Sequence, residues 1–164
     1  MSERAIIIGS STTGKTTLLN YFKEHTDIPV DESDDVLTKL NGGTYPHDSD
    51  YKMNVLAPVM VEEILKREQI IFFTNSHYFQ AKDLELAHQR GFVVMQLKLA
   101  RETMIARNKH RMEHEEYNDL SVHFDSMLQY EDDMHRHKLI DAVIDSNKPL
   151  DKIAEEILAK INGK

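Results

Sequence analysis

The sequence predicts an α/β protein: a three-layer α/β/α domain on a five-stranded parallel sheet. Three observations predict it. Short apolar runs alternate with longer amphipathic stretches along the whole chain, the pattern of β-α units. The first run, Ala5-Ile6-Ile7-Ile8, is continuous and mostly β-branched, as in a strand buried on both faces. It stops at Gly9 and gives way to a helix-forming stretch. At 164 residues the chain holds one domain, 1–164, with a sizeable core, and is too short for two ordinary ones.

Each element follows from local pattern. From Lys15 to about His25, the spacing of Leu18, Leu19 and Phe22 suits a helix packed on a sheet. A second strand is predicted to end at Val30, before the acidic run Asp31-Glu32-Ser33-Asp34-Asp35. Residues 41–50 are rich in turn formers and read as a loop. A helix follows to about Glu68, and Pro58 either kinks it or opens its second half, because proline is best tolerated in a first turn. Residues 70–73 are the third strand. Residues 80–90 are helical and end at Gly91, and 92–97 are the fourth strand. Two helices are predicted over 101–115 and 119–139, then a short strand at 142–144. Pro149 opens a C-terminal helix whose Leu150, Ile153, Ile157, Leu158 and Ile161 keep helical spacing.

Composition narrows the function classes. The chain has no cysteine, which excludes disulfides, thiolate metal sites and cysteine nucleophiles. The formal net charge is −8, which argues against broad nucleic-acid binding through an electropositive surface. An anionic ligand in a locally basic cleft stays compatible with that charge, and so does an oligonucleotide 5′ end. No apolar run approaches bilayer-spanning length. The N-terminus lacks a signal-peptide pattern, so the expected location is the cytoplasm, as a monomer or homodimer.

Residues 9–16, Gly-Ser-Ser-Thr-Thr-Gly-Lys-Thr, form a complete phosphate-binding loop between strand and helix, the setting of a P-loop NTPase. Gly9 and Gly14 permit backbone conformations that a Cβ disfavours. The N–H groups of Ser10, Ser11, Thr12, Thr13 and their neighbours through Thr17 can then cradle phosphate oxygens. Lys15 supplies positive charge to the β- and γ-phosphates, and Thr16 offers a hydroxyl to Mg²⁺. The following helix adds its N-terminal dipole. ATP and Mg²⁺ are the expected nucleotide and cofactor.

Other segments separate the nucleotide-binding classes. The guanine-reading Asn-Lys-x-Asp pattern of GTPases is missing, since Asn147-Lys148 continues into Pro149-Leu150. The third strand ends Thr74-Asn75-Ser76, without the carboxylate usual in motor ATPases. The chain resembles the nucleoside- and nucleotide-monophosphate-kinase-like superfamily of small P-loop kinases, which includes shikimate-, gluconate- and polynucleotide-kinase-like members. The early phosphate loop carries the resemblance, together with the acidic run Asp31-Glu32-Ser33-Asp34, which is similar to the Asp-x-Asp region of shikimate and gluconate kinases. Residues 97–111 look like a fourth strand running into an arginine-bearing lid. Residues 142–146 and 148–153 look like the last strand, turn and helix.

The resemblance implies a helical lid over about 101–118 and an acceptor-binding region over about 31–60. It implies that Arg107 or Arg111, with Arg107 the first choice, meets the transferring phosphoryl group, where charge stabilisation matters most. Asp31 is expected to orient or deprotonate the acceptor, or to hold Mg²⁺ through water. Asp34 shares that expectation, with helix capping as its alternative. Tyr45, His47 and Tyr51 in the acceptor region, and Asn75, His77 and Tyr78 after the third strand, are placed to meet substrate. His110 and His114 lack a zinc-protease order. The acidic stretches 113–119 and 131–133 read as solvated faces or a lid edge. The expected activity is transfer of the γ-phosphoryl of ATP to a small acceptor, a nucleoside or nucleotide. The alternatives are a polynucleotide 5′-hydroxyl kinase, a P-loop hydrolase and a nucleotide sensor without catalysis.

Overall fold

The structure, a computed structural model, describes residues 3–10, 12–115 and 117–163. Strands β1 (Arg4–Gly9), β2 (Val30–Glu32), β3 (Ile70–Thr74), β4 (Val93–Lys98) and β5 (Ala142–Asp145) form one sheet in the order β2-β3-β1-β4-β5. Every neighbouring pair is parallel. Parallel neighbours require crossover connections, and helices supply them: α1 (Lys15–His25), α2 (Ser33–Leu40), α3 (Ser49–Tyr51), α4 (Ala57–Leu65), α5 (Ala81–Gln89), α6 (Arg101–His114) and α7 (Phe124–Arg136), while α8 (Leu150–Asn162) follows the last strand.

Alternation along β1 divides the core. Ile6 and Ile8 face α2, α4, α5 and α7, where Leu37, Met60, Leu84 and Met134 close one layer. Ala5 and Ile7 face α1 and α8, where Leu18, Phe22, Ile153 and Ile157 close the other. A small separate cluster of Leu99, Met104 and Phe124 seats α6 beside α7. Because the strands are parallel, their carboxyl ends share one edge of the sheet. The central strand β1 has β3 on one side and β4 on the other, so the loop after it opens into the crevice where ligands bind in such folds.

The predicted architecture is present, with local corrections. The second strand runs on to Glu32 rather than stopping at Val30. It is an edge strand, and its acidic residues pair with Phe72 and Phe73 while keeping solvent access. The helix predicted over 119–139 is shorter. Asp119 accepts hydrogen bonds from Asn108 Nδ2 at 2.8 Å and Ser121 N at 2.9 Å, and this turns the chain before Phe124. At the other end the chain turns at Lys138, with a left-handed φ of 58°. Pro58 opens the second half of its helix: it lies in the first turn of α4, directly after a π-helical turn over Lys52–Leu56. Among the described residues, no helix is long and apolar enough to cross a membrane.

Candidate active site

The phosphate loop turns at Gly14, which caps α1 with a left-handed φ of 87°. The first turn of α1 contains no acidic residue and no side-chain cap, so its free N–H groups and dipole face an anion site without competition. Thr13 closes the loop on itself, donating its hydroxyl to Ser10 O at 2.7 Å. Lys15 is folded back and buried, with Nζ donating to Gly9 O at 2.7 Å and Ser10 O at 2.9 Å. Desolvation pulls its pKa down to about 8, against the attraction of Asp34, Glu32 and Glu131. Ser11, a predicted member of the cradle, lies outside the described residues.

Two cavities flank the loop. One, of about 530 Å³, lies between the loop, α6 and the β5–α8 turn, with Thr12, Gly14, Arg107, His110, Lys148 and Ile153 in its wall. The other, of about 280 Å³, holds Lys15, Thr16, Glu32, Asp34, Asn75 and Arg111. Gly14, Thr17 and Arg111 border both. The volume of the first is in the range of small-ligand sites. The second is lined largely by polar and charged side chains, and meets the first at those shared residues.

The acidic residues divide by strand alternation. Glu32 points toward α1, and Thr16 Oγ1 donates to its Oε2 at 3.5 Å. Asp31 points to the opposite face, where Lys39 Nζ lies 3.9 Å from its carboxylate, and its Oδ1 accepts from Glu32 N at 2.9 Å. Asp34 lies in the first turn of α2, behind Glu32 as N-cap, and caps nothing itself. Its Oδ1 is buried, and among the described residues it has no hydrogen-bond partner. Burial raises the Asp34 pKa, with Lys15 and Lys52 opposing. Burial and the neighbouring Asp35 and Asp34 raise that of Glu32.

The two arginines of α6 also divide. Arg107 Nη1 donates to Thr12 O at 2.9 Å and braces the loop. Arg111 stands one turn on, over the Tyr117 ring at 5.3 Å, and borders both cavities. Near Asp34, Lys52 donates to Tyr45 OH at 3.2 Å and lies over the rings of Tyr45 and Tyr78. His47 packs edge-on against Tyr45, and Tyr51 is exposed. His77, held at a φ of 81°, turns away to α7, where its Nε2 lies 3.1 Å from Ser126 Oγ.

No family model matches the sequence, and no curated protein matches it significantly. Solved structures do. Shikimate kinase from Acinetobacter baumannii, in complex with shikimate, is 19% identical, with a TM-score of 0.78 over 99% of this chain and 94% of that one. Shikimate kinase from Aquifex aeolicus is 17% identical, with a TM-score of 0.73 over 98% and 96%. A gluconokinase from Sinorhizobium meliloti is 16% identical, with a TM-score of 0.61 over 98% and 91%. This chain has the fold of the small P-loop kinases.

Within that P-loop kinase fold, sequence reading overlooked three features. Glu32, rather than Asp31, neighbours Thr16, and strand alternation back from the Val30 side chain is the signal that identifies it. The wall formed by Ser146, Lys148 and Ile153 follows from the turn after the last strand. Glu131, read as part of a solvated stretch, is only 4% exposed. It stands seven residues after the buried Phe124, two helical turns along the same face of α7.

Gly9 is required by close approach rather than by φ. A Cβ there would lie 2.5 Å from Thr13 Oγ1 and 3.2 Å from Leu97 Cβ. Gly9→Ala is expected to break the Thr13–Ser10 closure and cost about 1–3 kcal/mol, read as a lower Tm with weakened nucleotide binding. Unchanged melting and binding would show that the loop has slack at this point.

Proposed function

We propose that the protein transfers the γ-phosphoryl group of Mg·ATP to a hydroxyl of a small polar acceptor, a nucleoside or a polyhydroxylated acid or sugar. The observation that carries this reading is the second cavity. It brings a buried carboxylate oxygen of Asp34, without a hydrogen-bond partner among the described residues, together with the phosphate-side cations Lys15 and Arg111. A sensor without catalysis has no need of such a carboxylate, whereas a kinase needs it to orient an acceptor and take its proton, and a hydrolase would turn the same group on water. The neighbouring folds include a shikimate kinase bound to shikimate and a gluconokinase, which favours a hydroxyl as the phosphoryl acceptor.

Each residue then has a role. Asp34 accepts the proton of the acceptor hydroxyl, whose oxygen bonds to the γ-phosphorus as the bond to the β-phosphate oxygen breaks. Its raised proton affinity makes it a stronger base than an exposed aspartate. Lys15 leaves the carbonyls of Gly9 and Ser10 for the phosphates, and Arg111 neutralises charge on the transferring group. Arg107 keeps the loop in shape through Thr12. Thr16 and Glu32 would supply hard oxygen donors that suit Mg²⁺, and acidic crowding around Glu32 favours a cation there. Mg²⁺, when bound, offsets phosphate charge. Residues 101–118 act as a lid and 31–60 hold the acceptor, excluding water from the reacting groups.

The test is ADP release from Mg·ATP against nucleosides, nucleoside monophosphates, hydroxy acids, sugars and a 5′-hydroxyl oligonucleotide. Stimulation by one class of small hydroxyl compound is the expected result. Stimulation by the oligonucleotide alone would replace the acceptor class. Tight ATP binding without stimulation by any acceptor would overturn the kinase reading in favour of a sensor or hydrolase.

A further inference from the structure

Beneath the phosphate loop lies a buried carboxyl that the reaction above does not use. Glu131, on α7, is 4% exposed. Ser10 Oγ donates to its Oε1 at 3.3 Å, and Gln96 Nε2 from β4 donates to its Oε2 at 3.0 Å. One carboxyl thus ties the loop, the sheet and α7 together. The same helix is tied to the loop after β3, because Tyr130 OH donates to Phe79 O.

We propose that Glu131 is a positioning residue of the phosphate loop, holding Ser10 from beneath and taking up a proton as nucleotide phosphates enter above it. This rests on the reading of the loop as a nucleotide site. An ionised carboxylate in so buried a place is costly unless closely paired. The cation facing it, Lys15 from α1, makes its hydrogen bonds to Gly9 and Ser10 carbonyls instead. Burial pushes the Glu131 pKa up to about 7. Ser10, Lys15 and Gln96 pull it down, and Asp132 on its own helix pushes it up. Tyr130, beside it, is itself pushed well above the usual phenol range by burial, with Asp83 and Glu131 adding to the shift.

Phosphate oxygens arriving on the other side of Ser10 add negative charge to this poorly solvated region and draw Lys15 toward themselves. Both changes favour the neutral carboxyl. The proton comes from solvent, and no other bond forms or breaks. A group whose proton affinity is higher in the complex than in the free protein makes binding tightest below its free pKa. The advantage begins to fade as pH passes that value and is lost as pH rises through the higher pKa of the complex.

The experiment is calorimetric titration of Mg·ADP into the full chain and into Glu131→Gln, in two buffers of different ionisation enthalpy, from pH 6.5 to 8. Glutamine keeps the volume and an acceptor for Ser10 but cannot take the proton. The wild type is expected to take up about half a proton more than the variant near pH 7, and its affinity to fall about threefold more steeply across the range. The nucleotide's own contribution is common to both proteins; that of Lys15, whose proton affinity Glu131 helps to hold up, is not, and the carboxyl signal read by NMR separates the two. A merely structural role would change Tm without changing the proton number. Carbon-13 NMR of glutamate carboxyls in the wild type is independent of the variant's folding. One carboxyl should titrate near neutrality and shift upward on adding Mg·ADP. Equal proton numbers in the two proteins, or no glutamate titrating above about pH 6, would overturn the inference while leaving the nucleotide reading intact. Absence of any Mg·ADP binding by the wild type would overturn both.

Discussion

Lys15→Ala is expected to lower phosphoryl transfer by about a hundred- to a thousandfold, the usual cost of removing one positioned donor to transition-state charge. Its effect on folding should be far smaller, because Lys15 is a cation buried at a cost. Losing it strips donors from Gly9 O and Ser10 O, each bond being worth about 1 kcal/mol, but it also removes the desolvation burden that pulls the Lys15 pKa to about 8. The sign of the pH effect follows. Between about 8 and 10.5 the unfolded chain holds this proton and the native chain has released it, so wild-type stability gains as pH rises through that window. The gain approaches about 3 kcal/mol at its limit, and Lys15→Ala should lack it. Steady-state turnover with the acceptor found by the panel, and melts at pH 7.5 and 10, check the two halves. A variant that keeps most of its turnover would mean that the loop does not deliver phosphoryl groups.

Asp34→Asn should lower kcat by about a hundred- to ten-thousandfold, the range for a lost general base, while KM for ATP changes little. The split matters because Asp34 borders the second cavity and not the first. The wild-type acid limb of kcat/KM should lie above the ordinary carboxylate range, since burial raises the Asp34 proton affinity. The same shift predicts a stability gain. With the folded-state pKa raised, the aspartate's contribution is full below its ordinary value and is lost as pH rises, so the neutral asparagine should melt higher at pH 7. Activity retained within a few-fold would remove Asp34 from the chemistry and leave Glu32 as the nearest carboxylate to Thr16.

Glu32 shows why the site was only partly legible from sequence. The acidic run after Val30 was visible, and so was its place at the carboxyl edge of the sheet. Which carboxylate turns toward Thr16 depends on where β2 ends and on its register against Phe72 and Phe73. A one-residue shift in a strand exchanges its faces. Arg107 and Arg111 raised the same difficulty. Their spacing placed both on one helix face, but only the packing of α6 on Leu99 and Phe124 decides that Arg107 meets the Thr12 carbonyl while Arg111 overlooks both cavities.

By itself the sequence determined the α/β class, the strand–loop–helix setting of residues 9–16, and the place of Pro149 at a helix start, while for Pro58 it left a kink open beside a helix start. These are local matters: hydrophobic period, glycine and proline stereochemistry, and a motif whose residues are consecutive. Only the tertiary structure decided that β1 lies at the centre of the sheet, that Asp34 and Lys15 share a cavity, and that Glu131 is buried under Ser10. Those depend on packing between residues far apart in the chain. A carboxylate on a helix reads as solvated until the surface packed against it is known, and for Glu131 that surface is a loop 121 residues away.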